Sequence, residues 1–161
     1  MAESPVRARV PRRFARISIL GVALLVAACG SINLTPAPAS PTDFAGLVGR
    51  LAVAKVSVDQ YVSGDAGCLD FDLVPTAISF HAVGLDQATP VKLYLYVFRD
   101  RAAWDKLRAR VATCAQSFVT DPATFDEIDQ SPYVLAGQGP WAAQFKAAVR
   151  STLEAAAGTG G

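Results

Sequence analysis

Apolar and polar positions alternate most cleanly in the middle of the chain. Ala77–Gly84 and Val91–Phe98 are rich in β-forming residues and are joined by a polar loop ending in Pro90, which predicts a hairpin. Ile78, Phe80 and Ala82 share one face of the first strand, and Val91, Leu93, Leu95 and Val97 share one face of the second. Burying both sets together puts Ser79 and His81 on the same side as Lys92, Tyr94 and Tyr96, because side chains alternate along a strand. Val56–Val62 also alternates, with Val56, Val58, Gln60 and Val62 on one side. The spacing changes to three and four over Asp100–Ser117, where Trp104, Leu107, Val111 and Cys114 form a helical stripe. A helix over Asp43–Ala52 carries Phe44, Leu47, Val48 and Leu51 on one face, with Thr42 as its N-cap.

The remaining segments are punctuated by turn residues. Ser63-Gly64-Asp65-Ala66-Gly67 is a turn cluster, and Leu69–Leu73 is long enough for one helical turn before Pro75. A strand around Tyr133–Ala136 follows Pro132. Gly137-Gln138-Gly139-Pro140 then leads into a last helix with Trp141, Phe145, Val149 and Leu153 on its core face and Pro140 in its first turn. The chain's end, 157–161, is expected to fray. This order predicts an α+β two-layer sandwich, an antiparallel sheet of about four strands with helices mainly on one face. Its middle resembles the βαββαβ order of ferredoxin-like domains with added terminal helices. That resemblance implies two inner helices side by side, which brings Cys68 towards Cys114.

One longer apolar run, Ile17–Ala28, has a different meaning. Arg7, Arg9, Arg12, Arg13 and Arg16 precede it, and Ala27-Ala28 leads out of it. A basic stretch, a short apolar stretch and a small-residue exit make a secretory signal peptide over residues 1–28. Its 12 apolar-run residues fall short of the ~20 that span a membrane. Arg12-Arg13 lacks the spacing of a twin-arginine signal before Phe14, so these are ordinary leader charges. Val26-Ala27-Ala28-Cys29, followed by Gly30-Ser31, resembles the lipobox of bacterial lipoproteins. The resemblance implies that Cys29 is lipidated with palmitate-type chains, becomes the new N-terminus and anchors the chain at the extracytoplasmic face of the envelope membrane. Residues 29–41 then form anchor and tether, proline-rich and spanning roughly 20 Å as a coil and ~35 Å as polyproline. Residues 42–161 form a single domain.

With Cys29 committed to lipid, Cys68 and Cys114 remain, and in an oxidising compartment an even remainder reads as a disulfide. Charge changes the picture once the leader is set aside. It holds five of the 15 basic and one of the 14 acidic residues, leaving 10 and 13, a net charge of −3. That balance excludes a basic nucleic-acid footprint.

Candidate chemistry is sparse. His81 is the lone histidine, so a Ser/His/Asp or Cys/His mechanism would have to use it, and no G-x-S-x-G elbow is present. Asp65, Asp70 and Asp72 surround Cys68, and Asp126, Glu127 and Asp129 form a second acidic group. Neither matches an EF-hand loop, so they read as solvated turn carboxylates and helix caps. Gly137–Pro140 has neither the lysine of a P-loop nor the third glycine of a dinucleotide fingerprint, and reads as a turn. No metal and no cofactor are expected. The best recognition candidate is the face carrying Ser79, His81, Lys92, Tyr94 and Tyr96, since tyrosines offer flat apolar area with a polar tip. The expectation is a lipid-anchored binding or accessory module of the bacterial cell envelope. It would meet the membrane through its anchor and an envelope protein, peptide or glycan through that face. The competing expectations are an envelope hydrolase using His81 and an interaction subunit of an envelope complex.

Overall fold

A computed structural model describes residues 41–157, with side chains described from Phe44 onward. The expectations for the leader, the Cys29 anchor, the tether and the end of the chain lie outside the described residues, whereas the first helix already begins at Pro41, so Thr42 lies inside it rather than at its N-cap. The elements are α1 (Pro41–Val53), β1 (Val56–Ser63), β2 (Ala77–Gly84), β3 (Gln87–Val97), α2 (Arg101–Ala115), β4 (Phe125–Gln130), β5 (Tyr133–Gln138) and α3 (Ala143–Ala157). Single 3-10 turns cover Val74–Thr76 and Pro122–Thr124. Among the described residues no helix is long and apolar enough to cross a membrane.

The five strands form one antiparallel sheet in the order β1-β2-β3-β5-β4. The α+β class with an antiparallel sheet holds, and two of the three helices share one face. Phe44, Leu47 and Leu51 of α1 and Phe145, Val149 and Leu153 of α3 pack on Val56, Ile78, Phe80, Leu93, Leu95 and Leu135. The other face, with Tyr94, Tyr96, Val134 and Ala136, lies under Leu107, Val111 and Cys114 of α2 and Ala66 and Leu73 of the segment after β1. The strand order departs from the ferredoxin-like one. β1 and β2 are antiparallel neighbours, since 64–76 holds only a 3-10 turn at Val74–Thr76 and no crossover helix.

Two strands differ from expectation for local reasons. In β1 the register slips between Asp59 and Val62, where Gln60 sits at φ 50°. This bulge turns Tyr61 towards Phe44, ring centroids 6.4 Å apart, and leaves Val62 exposed opposite Ser79. β4 is a strand the alternation did not announce: Phe-Asp-Glu-Ile-Asp-Gln buries only Ile128 fully. It is an edge strand, where charged side chains are tolerated and protect the edge. β3 starts earlier than expected, at Gln87, and Pro90 lies in the part that runs past the last β5 pair, Leu93 with Gly137. α3 starts at Ala143, so Pro140 precedes it rather than filling its first turn.

Candidate functional site

The site grows from three side chains that strand parity places on the α2 side of the sheet: Ser79 on β2, and Lys92 and Tyr94 on β3. After β1 the chain folds back across them as residues 64–73. The Cys68–Cys114 disulfide, with Cα atoms 5.4 Å apart, fastens this segment to α2. Tyr96 donates its hydroxyl to the Ala66 carbonyl at 2.8 Å from beneath.

Asp65 is the hub. Its carboxylate accepts from the Ser79 hydroxyl at 2.7 Å, the Lys92 ammonium at 2.9 Å and the Gly67 amide at 3.0 Å. Burial opposes its ionisation, but these bonds outweigh burial and hold the carboxyl below its ordinary range. The Lys92 ammonium is held in its charged form by the same contact, with burial opposing. Lys92 also stands 5.0 Å from the Tyr94 ring centroid, a cation–π arrangement. Tyr94 stacks on Phe118 with centroids 4.1 Å apart. Gly67 closes over the stack at φ +74°, where a Cβ would come within 2.5 Å of Phe118 and 2.7 Å of Tyr94. Beside the stack opens a cleft of about 360 Å³, walled by Pro90, Lys92, Tyr94, Phe118 and Pro140.

The open recognition face expected from the alternation is not present. Ser79, Tyr94 and Tyr96 are 0, 7 and 0 % exposed, because α2 and the disulfide-bonded segment cover them. Lys92 and one side of Tyr94 still reach solvent through the cleft. His81 shares this side of the sheet, paired with Lys92 across the strands, and its Nδ1 lies 4.0 Å from Asp59 on β1. Ser79 gives its proton to Asp65 rather than to His81, so the arrangement a serine hydrolase needs is not assembled there.

The acidic groups are ion-paired rather than solvated. Arg110 holds Asp70 at 2.7 and 2.8 Å and also holds Asp72, whose carboxyl it pulls down. Arg108 bridges Glu127 and Asp129, and Lys146 takes Asp126. Among the described residues no group of three or more His, Cys, Asp or Glu is placed to hold a metal. The amides that follow Gly137–Pro140 are taken by the chain itself. Trp141 donates to Asp126, Ala142 to Gln87, and Gln144 and Phe145 to Asp86. No amide among these four is left facing an anion. Phe118, which walls the cleft, carried no signal in the sequence. Asp65 did, as an Asp-x-Gly turn beside Cys68. Comparison of the chain with known protein families, curated proteins and solved structures gives no match.

Proposed function

We propose that this chain is a lipid-anchored binding module on the extracytoplasmic side of the bacterial envelope, holding a peptide or glycan segment in the cleft beside Lys92. The observation that carries the reading is the cleft itself. It combines a fixed ammonium, stacked aromatic rings and two prolines, which suits a partner with both apolar and polar surface. The Cys68–Cys114 disulfide supports an oxidising compartment, and the lipobox resemblance of Val26-Ala27-Ala28-Cys29 supports the anchor. The test is capture from detergent-solubilised envelopes by the full chain, wild type against Lys92→Ala/Phe118→Ala. A species retained by the wild type and lost from the variant supports the cleft. Equal capture by both, or none by either, overturns it.

A further inference from the structure

The cleft beside Lys92 can give a ligand a hydrogen bond, but its side chains have little left with which to accept one. The Asp65 carboxylate is taken by Ser79, Lys92 and the Gly67 amide. The Gln138 side chain, which lines the cleft, is taken at both ends. Its carbonyl accepts from the Thr120 amide at 2.7 Å, the Thr120 hydroxyl at 3.1 Å and the Asp121 amide at 3.3 Å. Its amide group donates to the Thr124 hydroxyl and the Gly139 carbonyl. Lys92 differs. An ammonium has more protons than one carboxylate oxygen can take, and the Lys92 side chain is 46 % exposed with only Asp65 at 2.9 Å. The rest of the lining is mainly apolar: Pro90, Val91, Phe118, Pro140 and the ring of Tyr94.

That imbalance selects a class of ligand. A glycan carries hydroxyls, and each hydroxyl that leaves water needs an acceptor for its proton. An ordinary peptide brings an N–H at every residue. Proline has a carbonyl and no N–H, so a proline-rich stretch brings acceptors and apolar rings with few protons to satisfy. Such stretches are already extended in the polyproline conformation and dock on aromatic-lined grooves at little cost in ordering. Charge agrees: Asp65 already neutralises Lys92, so an uncharged acceptor suits the ammonium better than an anion does. Resting on the cleft reading above, we propose that the occupant is an uncharged, proline-rich segment of another protein. One of its carbonyls accepts from Lys92 while its rings lie against Phe118 and Pro90. This chain has a proline stretch of its own, Thr35-Pro36-Ala37-Pro38, but it leads towards α1, which packs on the opposite face of the sheet from the cleft.

The test passes the full chain, in detergent, over three immobilised sets: short uncharged peptides rich in proline, the same peptides with serine at every proline, and neutral oligosaccharides. The expected result is retention by the proline peptides alone, unchanged between low and high salt because the ligand carries no charge. Phe118→Ala should weaken it about tenfold, as loss of an aromatic anchor does. Pro90→Ser, at an exposed position of β3, should weaken it while melting with the parent protein, so a folding defect in Phe118→Ala does not decide the matter. Pro36→Ala/Pro38→Ala should leave retention unchanged. A marked gain in that variant means that this chain's own proline stretch, from the same copy or a second one, fills the cleft, and it overturns the proposal. Retention by oligosaccharides instead overturns it and leaves the cleft reading standing. Retention by none of the sets also overturns it, and capture from envelopes then decides the cleft reading separately. Equal retention by the serine peptides, strong salt dependence, or insensitivity to both Phe118→Ala and Pro90→Ser overturns it as well.

Discussion

The hydroxyl of Tyr96 is fully enclosed, and burial pushes its ionisation well above that of a free phenol. It is tolerated because it donates to Ala66. Tyr96→Phe leaves that carbonyl without its donor and is expected to lower stability by about 1–3 kcal/mol, read by urea unfolding. Asp65 and Glu127 respond to acid in opposite directions. The Asp65 carboxyl lies below its ordinary range in the fold, so the stability it lends is complete above about pH 4 and is lost as pH falls through the folded value. Asp65→Asn should flatten that acid limb. Burial raises Glu127, with Arg108 opposing, and its Oε2 has no hydrogen-bond partner. The folded state then binds the extra proton more readily than the unfolded chain, so stability should rise as pH falls through the folded value of this carboxyl towards its ordinary range. Glu127→Gln should abolish that rise, and a denaturation midpoint series between pH 7 and 2 reads both variants.

At the level of elements, the β2–β3 hairpin shows what side-chain alternation contains and what it lacks. It put Ile78 and Phe80 on one face with Leu93 and Leu95, and Ser79 on the other with Tyr94 and Tyr96, as the register and packing have them. Which of the two faces meets solvent was not written there, because tyrosine serves equally on an open face and under a helix. The cover comes from residues 64–73 and α2, which the disulfide ties to each other and which meet the hairpin through side-chain packing. β4 was illegible for the opposite reason, since Arg108 and Lys146, distant in sequence, pair its carboxylates. Replacing both Tyr94 and Tyr96 by serine should therefore be at least as damaging as Leu93→Ala, for which about 2–5 kcal/mol is expected. Gly67→Ala forces a methyl group into the Tyr94–Phe118 stack and into a left-handed backbone, so its thermal midpoint should fall. The same change should collapse capture through the cleft.

For the molecule as a whole, the 46-residue span closed by Cys68–Cys114 restricts the unfolded chain by about 4 kcal/mol on the loop-entropy account. Cys68→Ser and Cys114→Ser should each lose a similar amount, and the double variant no more, since one cross-link is removed in every case. Cys29→Ala should abolish fatty-acid labelling of the full chain in cells if the lipobox resemblance reports its attachment. Absence of labelling in the wild type would refute the anchor. The amino-terminal end of α3 carries a consequence of another kind. The amides of Gln144 and Phe145 are capped by Asp86, 58 and 59 residues earlier, and the Ala142 amide by Gln87. A chain made from its amino end completes the β2–β3 turn long before these residues exist. The final helix thus arrives at a receptor already built and closes the fold last, like a clasp. Asp86→Ala should leave that clasp unlatched, with amide exchange quickened along α3 ahead of every strand.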